Sequence, residues 1–231
     1  MRKNRHSNCG CTGAIFLLLV IVLGTASPSR AQPAEHQDSS SVDSFSEFYN
    51  QYRISPEKSG LDEYSLWGGY SFHSSNGVWG KTSGAELRVL GFRYNRKVLT
   101  FPRHYLLKYV LEMNVHVQYQ LSGISVEATP SSLSGFGITP LGFQLNALRN
   151  QSVQPFFKSS AGFMYLSDPF PNDQGTNFNF TLEIGTGMEI MLTANSFFTL
   201  GYKYHHMSNG QFGQINPGVD SNIFYAGITI F

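Results

Sequence analysis

The stretch Tyr202-Lys203-Tyr204-His205-His206-Met207-Ser208-Asn209 holds the residue types for nucleophilic chemistry. Side chains in a β-strand alternate between faces. Read as a strand, this stretch and the residues before it place Phe198, Leu200, Tyr202, Tyr204, His206 and Ser208 on one face. Thr199, Gly201, Lys203 and His205 fall on the other. A hydroxyl two residues from an imidazole on one strand face is within reach of a Ser–His hydrogen bond. Such a base is what activates a weak hydroxyl nucleophile. The blander readings are a strand-end serine and a histidine that suits a wet–apolar boundary. His205 points the opposite way, so the two adjacent histidines do not share a metal, and His205 reads as an interior polar residue.

The strand that carries His206 and Ser208 belongs to a chain with period-two patterning from Leu61 onward. The segments are Tyr64–Ser74, Gly84–Asn95, Tyr105–Tyr119, Leu133–Leu148, Val153–Leu166, Asn177–Leu192, Phe197–Ser208 and Val219–Phe231. The third is the clearest: Tyr105, Leu107, Tyr109, Leu111, Met113, Val115, Val117 and Tyr119 alternate with a mostly polar set. The fourth is interrupted by Pro140. No helical period of comparable length follows residue 60. Most segments exceed the ~5–6 residues usual for a soluble strand. Long alternating strands, tyrosines at the ends of apolar stripes and the terminal Phe231 predict an all-β, eight-stranded antiparallel transmembrane β-barrel. The alternative is a soluble barrel of lipocalin type, apolar inside and polar outside. Glu112, Glu183, Glu189, His116 and Lys203 are expected to form an interior polar network. A second catalytic site among them would be buried away from lipid.

With periplasmic termini, the outward connectors would be 75–83, 121–132, 167–176 and 209–218, and the inward ones 96–104, 149–152 and 193–196. Long outer and short inner connectors are the rule for bacterial barrels, although 96–104 is longer than expected. The His206–Ser208 end of its strand then lies at the extracellular side, on the lipid-facing surface.

Composition sets the outer limits. The chain has 231 residues, a formal net charge of +1 and 13% charged residues. That length fits one folded domain, and the charge gives no footprint for nucleic acid. A basic start at Arg2, Lys3 and Arg5, the apolar run 14–23 and the small-residue site around Ala31 read as a secretory signal over 1–31. The run is short of the ~20 residues of a spanning helix. Residues 32–60, rich in Ser, Glu and Asp, read as a flexible linker, with a short helix expected around 42–52. The barrel takes 61–231. Both cysteines, Cys9 and Cys11, fall in the signal. The mature chain then has no thiol for a disulfide or a metal site, and no metal or cofactor is implied.

The residues after the seventh segment carry a family resemblance. His206-x-Ser208-Asn209 is followed by Asn216-Pro217-Gly218 and then by an acid, Asp220, that opens the last strand. In this pattern the chain resembles the lipid A 3-O-deacylases, outer-membrane acyl-ester hydrolases. The resemblance covers the eight-strand layout, with the specific motif confined to 202–231. It implies a triad of Ser208 as nucleophile, His206 as base and Asp220 as the acid that orients the histidine. Physical chemistry supports these roles, since the base must touch the hydroxyl and its other nitrogen needs a partner to fix the tautomer. The acid in the family pattern is a glutamate; aspartate is one methylene shorter. Asn209 stands beside the nucleophile, either as an oxyanion donor or as a residue that starts a turn.

The expected substrate is lipid A or lipopolysaccharide in the outer leaflet of the bacterial outer membrane, cut at its 3-O-linked acyl ester. The expected partners are outer-membrane lipid and no nucleic acid, and a homodimer is compatible with the sequence. The competing readings are a non-enzymatic structural or adhesion barrel and an outer-membrane phospholipase.

Overall fold

The computed structural model describes residues 62–74, 77–101, 105–121 and 130–231. The expected signal, the linker and the helix around 42–52 lie outside the described residues. The described chain forms eight strands: β1 (Asp62–Ser71), β2 (Glu86–Phe101), β3 (Tyr105–Gln120), β4 (Ser132–Asn146), β5 (Val153–Phe170), β6 (Thr176–Thr193), β7 (Ser196–Ser208) and β8 (Val219–Ile230). Each pairs antiparallel with the next, and β8 pairs back onto β1 from Tyr64↔Ile230 to Tyr70↔Phe224. The sheet therefore closes into a barrel with no free edge, the condition for strands to cross a bilayer.

Alternation decides what faces where. Along β6, Asn179, Thr181, Glu183 and Glu189 are buried, while Phe178, Ile184, Met188 and Leu192 are exposed. The same holds on β1, where Tyr64 and Leu66 are exposed and Glu63, Ser65 and Trp67 are buried. An apolar exterior around a charged interior is the reverse of a lipocalin-type barrel. It is the arrangement of a barrel that stands in lipid.

The interior is filled in two zones. Lys203 bridges Glu112 and Glu183, at 2.8 Å each. Glu112 also accepts from Lys158 at 2.7 Å and from Arg93 at 2.8 Å. Nearer the short-connector end, Lys108 bridges Glu63 and Glu189, and Gln144 and Asn146 donate to Glu189. The Lys203 ammonium lies 4.1 Å from the ring centre of Trp67. Toward the long-connector end the filling turns apolar: Leu87, Val117, Tyr119, Leu133, Leu166, Met207 and Val219 pack in one buried cluster.

Three features differ from the sequence reading. β2 runs to Phe101, so the inward connector shrinks and the anomalous length of 96–104 disappears. Pro140 does not end its strand; the β3–β4 and β4–β5 ladders shift register around it, and its carbonyl accepts from the Tyr109 hydroxyl at 2.6 Å. The β3–β4 ladder also shifts between Asn114 and Val117, the mark of a β-bulge. One extra residue reverses the facing of everything beyond it. Val117 and Tyr119 therefore turn inward, and His116 is exposed, outside the interior network assigned to it.

Removing one partner of a buried ion pair leaves an uncompensated charge and costs about 3–5 kcal/mol. Glu112→Gln would leave Arg93, Lys158 and Lys203 around a neutral amide. It should lower the unfolding free energy of the barrel refolded in lipid vesicles, read from urea melts, by that amount, and the urea midpoint with it. An unchanged midpoint would show that the cluster does not hold the barrel.

Candidate active site

On β7 the inward positions are taken by Lys203, His205 and Met207, which are all buried. His206 and Ser208 are thereby set outward, and both are half-buried. Met207 is fully enclosed and lies opposite Val219 of β8 in the apolar cluster. The strand that bears His206 and Ser208 is thus gripped from behind by packing. His205 forms its own interior bond, Nδ1 to Glu183 Oε1 at 2.9 Å.

The β7–β8 register sets His206 directly opposite Asp220. Opposed residues on paired strands share a face, with Cβ atoms about 4.5–5.5 Å apart. A short acid spans that gap: His206 Nδ1 lies 2.6 Å from Asp220 Oδ1. An ionised carboxylate only accepts hydrogen bonds, so the ring carries its proton on Nδ1. Nε2 is left as the acceptor, the state a general base needs. The aspartate in place of the family's glutamate therefore reaches the ring without strain on its length.

Asp220 faces outward yet is 1% exposed, because the β1–β2 connector lies over it. The N–H groups of Gly80 and Trp79 donate to Asp220 Oδ2 at 2.7 and 3.0 Å. The connector is tied to the same strand end by Lys81 N–H to the Pro217 carbonyl, Thr82 N–H to the Gly218 carbonyl and a parallel bridge from Thr82 to Val219. The Trp79 ring meets His206 edge-on, with centroids 5.5 Å apart, and Tyr204 at 5.9 Å. The sequence offered no sign of this contact, since Gly80 and Asp220 are 140 positions apart and backbone donors leave no residue signature.

Ser208 sits opposite Phe180 of β6, at the strand end beside the ring. Its hydroxyl makes no hydrogen bond to His206 in this structure, where the ring bonds to Asp220. Catalytic hydrogen bonds are commonly loose before substrate binds.

Asn209 is 1% exposed and organises the loop that joins β7 to β8. Its N–H donates to Asn216 Oδ1 at 3.0 Å, its Nδ2 to the Ile215 carbonyl at 2.8 Å, and its Oδ1 accepts from Gln211 N–H at 2.9 Å. Of the two readings of Asn209, the geometry matches the residue that starts a turn. Its backbone N–H is engaged by Asn216, and its side-chain amide bonds within the loop through both Nδ2 and Oδ1. The Asn209 N–H holds the side-chain oxygen of Asn216, a residue singled out in the sequence only as part of the motif. With its oxygen held by Asn209, its amide NH2 is the part left to donate. Gly218, at φ 63°, closes the loop in the left-handed region that disfavours side chains, and a Cβ there would lie 3.1 Å from His206 Cε1.

The surroundings are apolar. Trp79, Phe212 and Phe224 are exposed, and Phe180 and Phe212 pack with centroids 5.7 Å apart. By contrast Glu112, Glu183, Glu189 and Lys203 are sealed inside the barrel, at 1% exposure or less. Neither substrate nor lipid reaches them. Among the described residues no group of three or more His, Cys, Asp or Glu side chains is placed to hold a metal ion.

Residues 88–229 match a family model described as lipid A 3-O-deacylase (PagL). The crystal structure of the outer membrane enzyme PagL superimposes with a TM-score of 0.50 at 17% identity, over 74% of this chain and 99% of that one. Neisserial surface protein A superimposes with a TM-score of 0.50 at 15% identity, over 74% of this chain and 97% of that one. At these identities the likeness establishes the barrel fold, and a fold by itself assigns no activity. No curated protein sequence matches the chain.

Asn209→Ala would remove both side-chain bonds that hold the loop. Buried hydrogen bonds of this kind contribute about 0.5–1.5 kcal/mol each. The variant should keep the barrel but be cut faster within 210–217 by limited proteolysis. An unchanged cleavage rate would show that the loop is held by other contacts.

Proposed function

Because the chain belongs to the lipid A 3-O-deacylase (PagL) family, we propose that it is an outer-membrane serine esterase that removes the 3-O-linked acyl chain from lipid A of lipopolysaccharide. The observation that carries this reading is the 2.6 Å bond between His206 Nδ1 and Asp220 Oδ1, on the outward face of the strand that also bears Ser208.

In the proposed reaction, the Ser208 hydroxyl turns toward His206 Nε2 and gives up its proton as its oxygen attacks the ester carbonyl carbon. The imidazolium formed is stabilised by Asp220. The tetrahedral oxyanion needs fixed donors, and we assign that role to the Asn216 amide NH2, whose oxygen is held by the Asn209 N–H. Collapse of the intermediate breaks the bond to the sugar 3-oxygen. His206 returns its proton to that oxygen, leaving the acyl chain on Ser208. Water, deprotonated by His206, then releases a 3-hydroxy fatty acid and restores the serine. The scheme calls for no cofactor or metal.

Lipid access fits the surroundings. The acyl chain would lie along the outward face of Leu200, Tyr202 and Tyr204, where Tyr202 has its hydroxyl satisfied by Asn222 at 2.6 Å. The site sits at the long-connector end, which in bacterial barrels is extracellular, so it would face the outer leaflet, where lipopolysaccharide resides. All the residues proposed for the site come from a single chain, so the reaction does not require the homodimer that the sequence allows.

Mass spectrometry of lipid A from cells expressing the chain tests the proposal. The intact protein should cause loss of one 3-hydroxyacyl mass, and Ser208→Ala should not. Unchanged lipid A with the folded barrel in the outer membrane would favour a phospholipase, or a structural or adhesion barrel. Loss in both would mean that another nucleophile acts. In purified protein, Asp220→Asn should lower kcat by on the order of 10³–10⁴-fold, the scale at which orienting acids act in serine hydrolases. A fall of less than tenfold would remove Asp220 from the triad.

A further inference from the structure

We propose that the β1–β2 connector, through Gly77, Trp79 and Gly80, is a positioning element of the hydrolytic site that fixes the Asp220 carboxylate against His206. The proposal rests on the esterase reading and adds a component that the triad does not contain.

The carboxylate is divided between two tasks. Oδ1 meets His206, while both connector N–H groups go to Oδ2. With Oδ2 pinned from one side, rotation of the carboxyl group is blocked, and Oδ1 is held toward the ring. Fixed N–H dipoles also favour the ionised form, which is the form that stabilises an imidazolium. Burial alone would do the opposite, because desolvation disfavours a charge. The connector therefore removes water from the acid and replaces its hydrogen bonds in the same step.

The fit is close enough to demand glycine. A Cβ on Gly80 would lie 2.7 Å from the Asp220 backbone nitrogen and 2.8 Å from Oδ1, and one on Gly77 would collide with Oδ2. Trp79 completes the seat by placing its ring edge against the imidazole. The connector precedes residues 88–229, the part of the chain that the family model matches. It also accompanies the aspartate, whose single methylene lets the carboxylate sit close to the strand under the connector.

Gly80→Ala and Val78→Ala, each in the full chain refolded in vesicles containing lipopolysaccharide, test the proposal. Gly80→Ala should push the connector off the carboxylate. A misplacement on the ångström scale costs up to about 10²-fold in rate, so kcat should fall about 10–100-fold with KM little changed. The acid limb of the kcat profile should move to lower pH, because a less well-held carboxylate supports the imidazolium less. Tyr204, the other titratable side chain against Asp220, is unaltered in both variants. Val78→Ala, at an exposed side chain of the same connector, retains the backbone donors and should stay within a few-fold of the parent; a fall as large as that of Gly80→Ala would show that kcat responds to any change in the connector and would count against the proposal. A folded Gly80→Ala barrel with parental kcat and an unmoved acid limb would overturn the proposal.

A second measurement needs neither turnover nor a folded Gly80→Ala. Tryptophan emission of the unaltered protein should change as His206 protonates, since Trp79 touches it, and the step should vanish in His206→Gln. If emission shows no His206-dependent step, the seat does not form. If the unaltered protein leaves lipid A intact yet the emission step is present, the substrate assignment fails while the connector's hold on the pair stands.

Discussion

Closure of the hydrogen-bonded ring is the constraint on which everything else in this molecule depends. Once β8 pairs with β1, each strand has both neighbours fixed, and a one-residue slip anywhere would turn a whole strand inside out. The β7–β8 register that sets His206 opposite Asp220 is one rung of that ring. The site is therefore not an addition to the barrel. It is read off the same ladder that satisfies the backbone in lipid.

The closed ring creates a second problem, which the interior residues solve. An eight-stranded barrel is just narrow enough for side chains to fill it. Here the filling is an ion network through the middle and an apolar cluster toward the long connectors. The charges would be costly if unpaired, and Glu112 alone meets three cations. The apolar cluster has a further consequence. Met207 and Val219 lie in it and alternate with His206, Ser208 and Asp220, so the same packing that closes the barrel end steadies the strand faces that bear the site.

The chemistry proposed for the outward face needs polar groups that survive beside an apolar phase. The structure meets this by covering the acid completely, half-covering the imidazole and leaving aromatic side chains around them. Asn209 serves the same end by spending its polar atoms on the loop, where they satisfy the Gln211 N–H and the Ile215 carbonyl.

Much of this was legible in the sequence because period-two alternation is a local property. It located eight strands, gave their number and facing, and put His206 and Ser208 on one outward face and His205 inside. It failed at Val117, Tyr119 and His116, because a bulge is set by how two strands pair and not by either alone. It also stopped β2 too early, since residues near the membrane boundary need not be apolar to stay in the ladder. The spacing of His206 and Ser208 pointed to the chemistry and the family resemblance added Asp220, but alternation across a glycine-containing loop cannot be counted, so only the β7–β8 register decided that His206 and Asp220 meet. The hold of Trp79 and Gly80 on Asp220 was beyond the sequence altogether. It is made by backbone N–H groups, which every residue but proline has, brought together only when the first and last strands close the ring.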